Sequence, residues 1–192
     1  MIILTDCDGV LLSWEHSFNW WMKRKGYKST EHTKTAYNVD KKYNISKEEA
    51  DALVRHFNES AAVGFLPPLG DAIKYVRKFH EEHGAVFHCI TSMGLEPYAN
   101  KLREENLYNV FGRTAFERVQ CIDCGEPKIE PLKRYKDSGF PWIEDKPANA
   151  DIGIEMGLQS FLINRPYNVD AKVHPDVIRV NNWKEIYEHI AS

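Results

Sequence analysis

The stretch Ile2-Ile3-Leu4-Thr5-Asp6-Cys7-Asp8-Gly9-Val10 constrains this chain more than any other. A short apolar run with β-branched residues predicts a buried strand, and it stops at two aspartates one residue apart followed by glycine. Two carboxylates are thereby set at the carboxyl end of a strand. In an open parallel α/β sheet, ligands bind in the crevice outside those ends. Neighbouring acids resist being charged together without a cation, and a hard, oxygen-seeking ion such as Mg²⁺ suits them. Gly9 permits the sharp turn that must follow. Asp-Gly after a strand is also an ordinary turn signal, so the rest of the chain must supply more. A calcium loop is excluded, because Val10 and Leu11 stand where an oxygen ligand and a glycine are required.

The 192 residues suffice for one core domain with a small insertion. A net charge of −3, with dispersed lysines, gives no electrostatic footprint for a nucleic-acid backbone and argues against long nucleic acid as a partner. No apolar run approaches the roughly 20 residues that span a bilayer. The amino terminus lacks a basic region followed by a long apolar one. The expectation is a soluble, cytoplasmic protein with no membrane partner and an oligomeric state left open. Cys7, Cys89, Cys121 and Cys124 are too sparse for a secreted disulfide framework and read as reduced thiols. Cys121-Ile122-Asp123-Cys124 has metal or redox spacing, but no second Cys-x-x-Cys and no His-x₃₋₅-His follows it.

Beyond the first strand, Trp14, Phe18, Trp21 and Met22 recur on one helical face, with Trp20 off it. A charged, Tyr- and Lys-rich segment spans Lys23 to Tyr43. Ser46 with Glu49 then forms a capping box ahead of the stripe Ala50, Leu53, Val54 and Phe57. Residues 13–65 thus read as a small helical insertion, and residues 1–12 with 66–192 as the core domain. Pro67-Pro68-Leu69-Gly70 punctuates the return, and a helix carrying Ile73, Val76 and Phe79 follows. His80 and His83 share part of its surface and read as solvated or packing histidines. Ala85 to Thr91 is a second strand, ending at Thr91-Ser92-Met93-Gly94 before a helix with Pro97 in its first turn and the stripe Leu95, Tyr98, Ala99 and Leu102. A helix amino terminus there would offer free N–H groups to an anion, or Thr91 or Ser92 would simply cap it. Further strands are predicted at Arg118–Ile122, Pro141–Ile143, Ser160–Ile163 and Val177–Val180. Helices are predicted from Ile129 to Asp137, from Pro147, and from Asn182 to His189. Lys128 and the pair Glu144-Asp145 follow strand ends. Alternation of this kind predicts an α/β fold, a Rossmann-like doubly wound parallel sheet with a helical cap inserted after the first strand.

At this point the chain resembles the haloacid dehalogenase superfamily, in particular its phosphatase branch. Asp6-Cys7-Asp8-Gly9-Val10 is similar to the first family motif, Thr91 to the second, Lys128 to the third, and Glu144-Asp145 with Asn149 to the fourth. Lys128 is followed by Ile129 where many relatives have proline, with Lys133 and Lys136 nearby, and Asn149 stands where a further carboxylate is frequent. The resemblance implies Mg²⁺-dependent hydrolysis of a small phosphate monoester. Asp6 would be the nucleophile that forms an aspartyl phosphate, and Asp8 the acid and base. Thr91 and Lys128 would hold the phosphate, and Asp6, Asp8, Glu144 and Asp145 the metal. Dehalogenases of the superfamily generally lack the second aspartate, so Asp8 argues against dehalogenation. Thr91-Ser92 and Arg165-Pro166-Tyr167-Asn168 look like segments of the 5′(3′)-deoxyribonucleotidases, which would make the substrate a (deoxy)nucleoside monophosphate, with Trp14 and Phe18 available to stack on a base and Ser92 beside the phosphate. A sugar-phosphate mutase or phosphotransferase using the same intermediate, and a non-catalytic phosphate-responsive protein, are the alternatives. The cap would move to admit substrate and exclude water.

Overall fold

A computed structural model describes residues 1–30 and 36–191. The part of the anticipated helical insertion at 31–35 lies outside the described residues, as does Ser192. Six strands, β1 (Ile2–Thr5), β2 (Val86–Ser92), β3 (Phe116–Ile122), β4 (Pro141–Glu144), β5 (Gln159–Ile163) and β6 (Ile178–Val180), form one sheet in the order β3-β2-β1-β4-β5-β6. Every neighbouring pair is parallel. Such strands need crossovers, and helices supply them on both faces. These are α4 (Ala72–His83), α5 (Pro97–Phe111), α6 (Ile129–Leu132), α7 (Pro147–Glu155) and α8 (Trp183–Ile190).

Alternation along β1 shows how the sequence covers both faces. Ile3 joins the larger apolar cluster with Phe79, Phe87 and Trp183, and Leu4 joins a second one with Ile90, Leu132 and Trp142. The chain winds one way through β1, β2 and β3 and the other way through β4, β5 and β6, so the topological switch point lies between β1 and β4. The rule for doubly wound sheets puts the ligand crevice at their carboxyl ends.

Between β1 and α4 the chain builds helices α1 (Trp14–Arg24), α2 (Val39–Tyr43) and α3 (Lys47–Asn58), and a 3₁₀ turn at Ala61–Phe65. The amide of Glu49 donates to Ser46 Oγ at 3.1 Å, the N-cap half of the anticipated box. Phe18 and Phe57, 5.3 Å apart edge to face, bury the inner faces of α1 and α3 in the same cluster that holds Ile3. The insertion thus shares its core with the sheet, as its small size requires. Two backbone bonds close its neck, from Ser13 N to Pro67 O at 2.8 Å and from Leu69 N to Leu11 O at 2.9 Å.

Two helices differ from expectation. Leu95 and Tyr98 are exposed rather than part of an inward stripe, and α5 buries Ala99, Arg103, Asn106, Leu107 and Phe111. That face carries two polar side chains, and apolar periodicity alone misses it. The helix expected from Ile129 to Asp137 ends at Leu132 and passes into a 3₁₀ turn at Lys133–Tyr135. Tertiary pairing pulls the chain out of the helix: Asp137 N donates to Met156 O at 2.8 Å, and Gly139 N to Gly157 O at 3.1 Å.

Candidate active site

β1 ends one residue before Asp6, whose amide still pairs with Ile143 O of β4 at 2.9 Å. This fixes the first aspartate directly beside the acidic pair that ends β4. The turn that follows is wound around Cys7 O, which accepts from the amides of Leu11 and Leu12 at 2.8 and 2.9 Å. Gly9 adopts φ +77°, and a Cβ there would overlap the Asp145 carboxylate. Only glycine meets both demands. The carbonyl of Gly9 accepts two bonds from Arg165, at 3.0 and 2.7 Å, and that of Val10 accepts from Trp183 Nε1 at 2.9 Å.

Carboxylate oxygens of Asp6, Glu144 and Asp145 lie within 4.8 Å of one another, and all three residues are buried. Lys128, 1% exposed, sits between two of them, with Nζ at 2.7 Å from both Asp6 Oδ1 and Glu144 Oε1. The alternatives to it are surface residues: Lys133 pairs with Glu130 in solvent and Lys136 is exposed. Glu144 is saturated. Its Oε1 accepts from Lys128 and from Asn149 Nδ2 at 2.8 Å, and its Oε2 from the amides of Asp145 and Lys146, both at 2.9 Å. A carboxylate offers about four such positions, so Glu144 acts here as the anchor of Lys128 and of its own loop. Asp6 and Asp145 keep more open coordination. Asp6 Oδ1 meets Lys128 and accepts from the Cys7 amide at 2.7 Å, and Asp145 Oδ2 accepts from the Tyr167 hydroxyl.

Three buried carboxylates therefore face one lysine. The electrostatics follow: burial pushes Asp6 up to about 7 against the opposing pull of Lys128, and Glu144 and Asp8 push it the same way. Asp145 is raised well above the usual carboxylate range, by burial first and then by Glu144 and Asp6. Lys128 is held protonated, the attraction of Asp6 and Glu144 outweighing its desolvation. Carboxyls raised in this way have too little positive charge around them, which suits the cluster to a cation, and a hard divalent ion with oxygen ligands matches the donor set.

Asp6 and Asp145 form part of the wall of a cavity of about 590 Å³ between the sheet edge and the helical insertion. Asp8, Thr91, Ser92 and Lys128 line it from the core, and Trp14, Tyr37, Lys42 and Asn58 from the insertion. Thr91 Oγ1 is fully buried and has no hydrogen-bonding partner among the described residues. An orphaned hydroxyl in the wall of the same cavity as a lysine is a ready donor for an anion's oxygen. Ser92 Oγ is directed to Glu126 O at 3.4 Å. Phe18 does not reach the cavity: it is 1% exposed and stacks behind Trp14 at 4.5 Å, covering one face of that indole. Trp14 Nε1 donates to Asn58 Oδ1 at 2.8 Å, and Asn58 Nδ2 reaches Cys124 Sγ at 3.5 Å, which links the insertion to the core across the cavity.

Several contributors lie outside the catalytic and metal-binding residues expected from sequence. Arg103, fully buried on α5, pairs with the Asp8 carboxylate. Tyr167 and Asn168 clamp the β4 end, the amide of Asn168 donating to Asp145 O at 2.6 Å and to Ile163 O at 2.9 Å. A polar run directly after the carboxyl end of β5 was the available cue for this clamp. For Arg103 the cue was an arginine at i+4 from Ala99 on a helix next to the site. His80 and His83 turn to separate partners, the former to Ala85 O and Thr114 Oγ1 and the latter to Tyr187.

No family model matches the chain. It is 27% identical over 161 residues to an uncharacterised 32.4 kDa protein of Enterobacteria phage T4, and spans 57% of the length of that relative. Among solved structures, a haloacid dehalogenase-like hydrolase of Streptococcus pneumoniae superposes with a TM-score of 0.68 at 14% identity, over 98% of this chain and 97% of that one. A hydrolase of the same family from Deinococcus radiodurans, with bound phosphate and sodium, gives 0.64 at 17% identity over 99% and 94%. One from Bacillus subtilis, bound to magnesium, gives 0.61 at 13% identity over 100% and 98%. The sheet order, the helices inserted after β1 and these end-to-end superpositions together establish that the chain has the haloacid dehalogenase-like hydrolase fold.

Proposed function

We propose that this protein is a Mg²⁺-dependent phosphatase of small phosphate monoesters. One observation carries the reading: a buried centre of three acids balanced by a single lysine, open to a cavity in which the Thr91 hydroxyl lacks a partner. Phosphate bound to the Deinococcus relative and magnesium bound to the Bacillus one are consistent with it. The donor set fits the metal. Asp6 and Asp145, with the backbone carbonyl of Asp8, are the groups that would hold it, while Glu144 stays with Lys128. Bound there, it would offset the repulsion between the phosphate and Asp6.

Asp6 attacks phosphorus, the P–O bond to the leaving group breaks, and an aspartyl phosphate forms. Asp8 gives a proton to the departing alkoxide and later takes one from the water that cleaves the acyl phosphate. Lys128 and Thr91 hold oxygens of the transferring group, where charge accumulates. Within this class, (deoxy)nucleoside monophosphates are the favoured substrates. The support is the resemblance of Thr91-Ser92 and Arg165–Asn168 to that branch, together with Trp14 in the cavity wall, one face backed by Phe18.

The test is phosphate release from a panel of nucleoside, deoxynucleoside and sugar monophosphates, with and without Mg²⁺, beside Asp6→Asn. Release that needs both the metal and Asp6 is expected. Silence across the panel would remove the phosphatase reading, and sugar phosphates turned over as fast as nucleotides would remove the finer one.

A further inference from the structure

Arg103 is the most conspicuous group near this site that the scheme above does not use. It projects from the inner face of α5, is fully buried, and does not line the cavity. Its Nη1 pairs with Asp8 Oδ1 and donates to Cys7 Sγ at 3.0 Å. Its Nε and Nη2, equally buried, have no partner among the described residues. Its neighbours along the same face are Ala99, Asn106 and Leu107. Taking a guanidinium out of water is costly, and an apolar side chain of similar volume is often at least as stable in such a place. Packing alone therefore gives no account of an arginine here.

Its contacts do. Both residues that Nη1 touches belong to the turn immediately after Asp6, and the backbone bonds around Cys7 O make that turn rigid. The Asp8 side chain is 23% exposed and borders the cavity, so its carboxylate reaches the substrate space while Arg103 grips it at Oδ1 from beneath. A carboxylate on a short side chain still has two rotatable bonds, and proton transfer requires hydrogen-bond reach of one particular oxygen of the substrate. We infer that Arg103 is the positioning residue for Asp8, holding its carboxylate at the angle from which it meets the leaving-group oxygen. This rests on the phosphatase reading. Arg103 touches no substrate and acts only through Asp8.

The experiment compares kcat/KM for two probes, the best alkyl monophosphate of the panel and 2,4-dinitrophenyl phosphate, whose leaving group departs without needing a proton. General acid catalysis contributes on the order of 10²–10⁴, so Arg103→Met is expected to lower kcat/KM on the alkyl ester at least about 30-fold and on the dinitrophenyl ester by less than about threefold. Arg103→Lys, which keeps a buried cation, is expected to fall between wild type and Arg103→Met on the alkyl ester. In an Asp8→Asn background, Arg103→Met should add less than about a twofold loss, since residues acting as a unit are non-additive. An equal fall on both probes, or full additivity with Asp8→Asn, would overturn the assignment and make Arg103 a structural residue. If Arg103→Met fails to fold, Arg103→Lys decides, and a wild-type ratio between the two probes overturns the assignment. A wild-type enzyme inactive on every monoester is a different failure, which removes the phosphatase reading and this assignment together.

Discussion

Replacing Lys128 by methionine separates the electrostatic role of this lysine from its bulk, because the aliphatic volume survives and only the cation is lost. Lys128 lies at 2.7 Å from both Asp6 and Glu144, and Glu144 keeps three other donors when it is removed. At pH 6 in the absence of Mg²⁺, Asp6 is mostly protonated in wild type, since its folded value is about 7. The loss is then mainly one charge-assisted hydrogen bond to Glu144, about 2 kcal/mol. Lys128 lowers the Asp6 value, so its removal moves that value above 7. The sign follows from linkage. A carboxyl raised in the folded state binds a proton that the unfolded chain has released, so its contribution falls as pH climbs from the unfolded to the folded value. In wild type the decline stops near 7, and in Lys128→Met it continues. The gap between the two should widen above pH 7 by up to about 1.4 kcal/mol per pH unit. It should reach about 3–4 kcal/mol at pH 8, in line with the roughly 3–5 kcal/mol typical of breaking a buried pair. Urea unfolding in EDTA at pH 6, 7 and 8 measures it. A gap that is flat across this range, or below about 1 kcal/mol throughout, would refute the account of Asp6 as a carboxyl raised by burial and held down to about 7 by Lys128.

The same charge imbalance predicts that Asp6→Asn, which abolishes phosphate release in the presence of Mg²⁺, raises stability without Mg²⁺ at pH 8 by about 1–2 kcal/mol, because the ionised group it removes is undercompensated; equal or lower stability in urea would count against the site being strained by its own charge. Mg²⁺ affinity, followed by titration calorimetry, should rise with pH up to at least 7, since the ion competes with protons on both Asp6 and Asp145. A pH-independent affinity would show that neither Asp6 nor Asp145 is a ligand. Gly9→Ala forces a side chain into φ +77° and against Asp145, so it should lose about 1–2 kcal/mol from backbone strain and weaken Mg²⁺ binding in the same calorimetric assay; unchanged Mg²⁺ affinity would mean that the Asp145 carboxylate takes no part.

Strands β1, β2, β4 and β5 were legible because each is a short apolar run that ends in residues of conspicuous chemistry, and the parallel fold class followed from their alternation with helices. Glu144 shows where that reading thins. Spacing beside Asp145 makes it look like a second ligand, and only the folded geometry reveals two backbone amides and two side chains already occupying its oxygens. Phe18 was legible as a member of an aromatic stripe, whereas which of its members would face a cavity depends on how α1 rolls against α3. Arg103 lies 95 residues from Asp8, and no local pattern encodes a contact of that range.

The arrangement of charges explains why these distant contributions converge on one edge. Asp6, Asp145 and Glu144 are all buried, and Glu144 holds Lys128; each charge alone would be expensive in a medium of low polarity. The fold answers with partners matched to role. Glu144 receives a full set of donors and is fixed. Asp8 receives one cation from the protein side and remains open on the other. Asp6 has only a lysine that it shares with Glu144, and Asp145 only the neutral Tyr167 hydroxyl, which leaves both short of positive charge, and it is these two whose values are raised. Undercompensation is confined to the pair that face each other across the switch point between β1 and β4. A sheet built for stability alone would place an apolar contact there; under the function proposed above, the residual charge is where a divalent cation and an anionic substrate would bind.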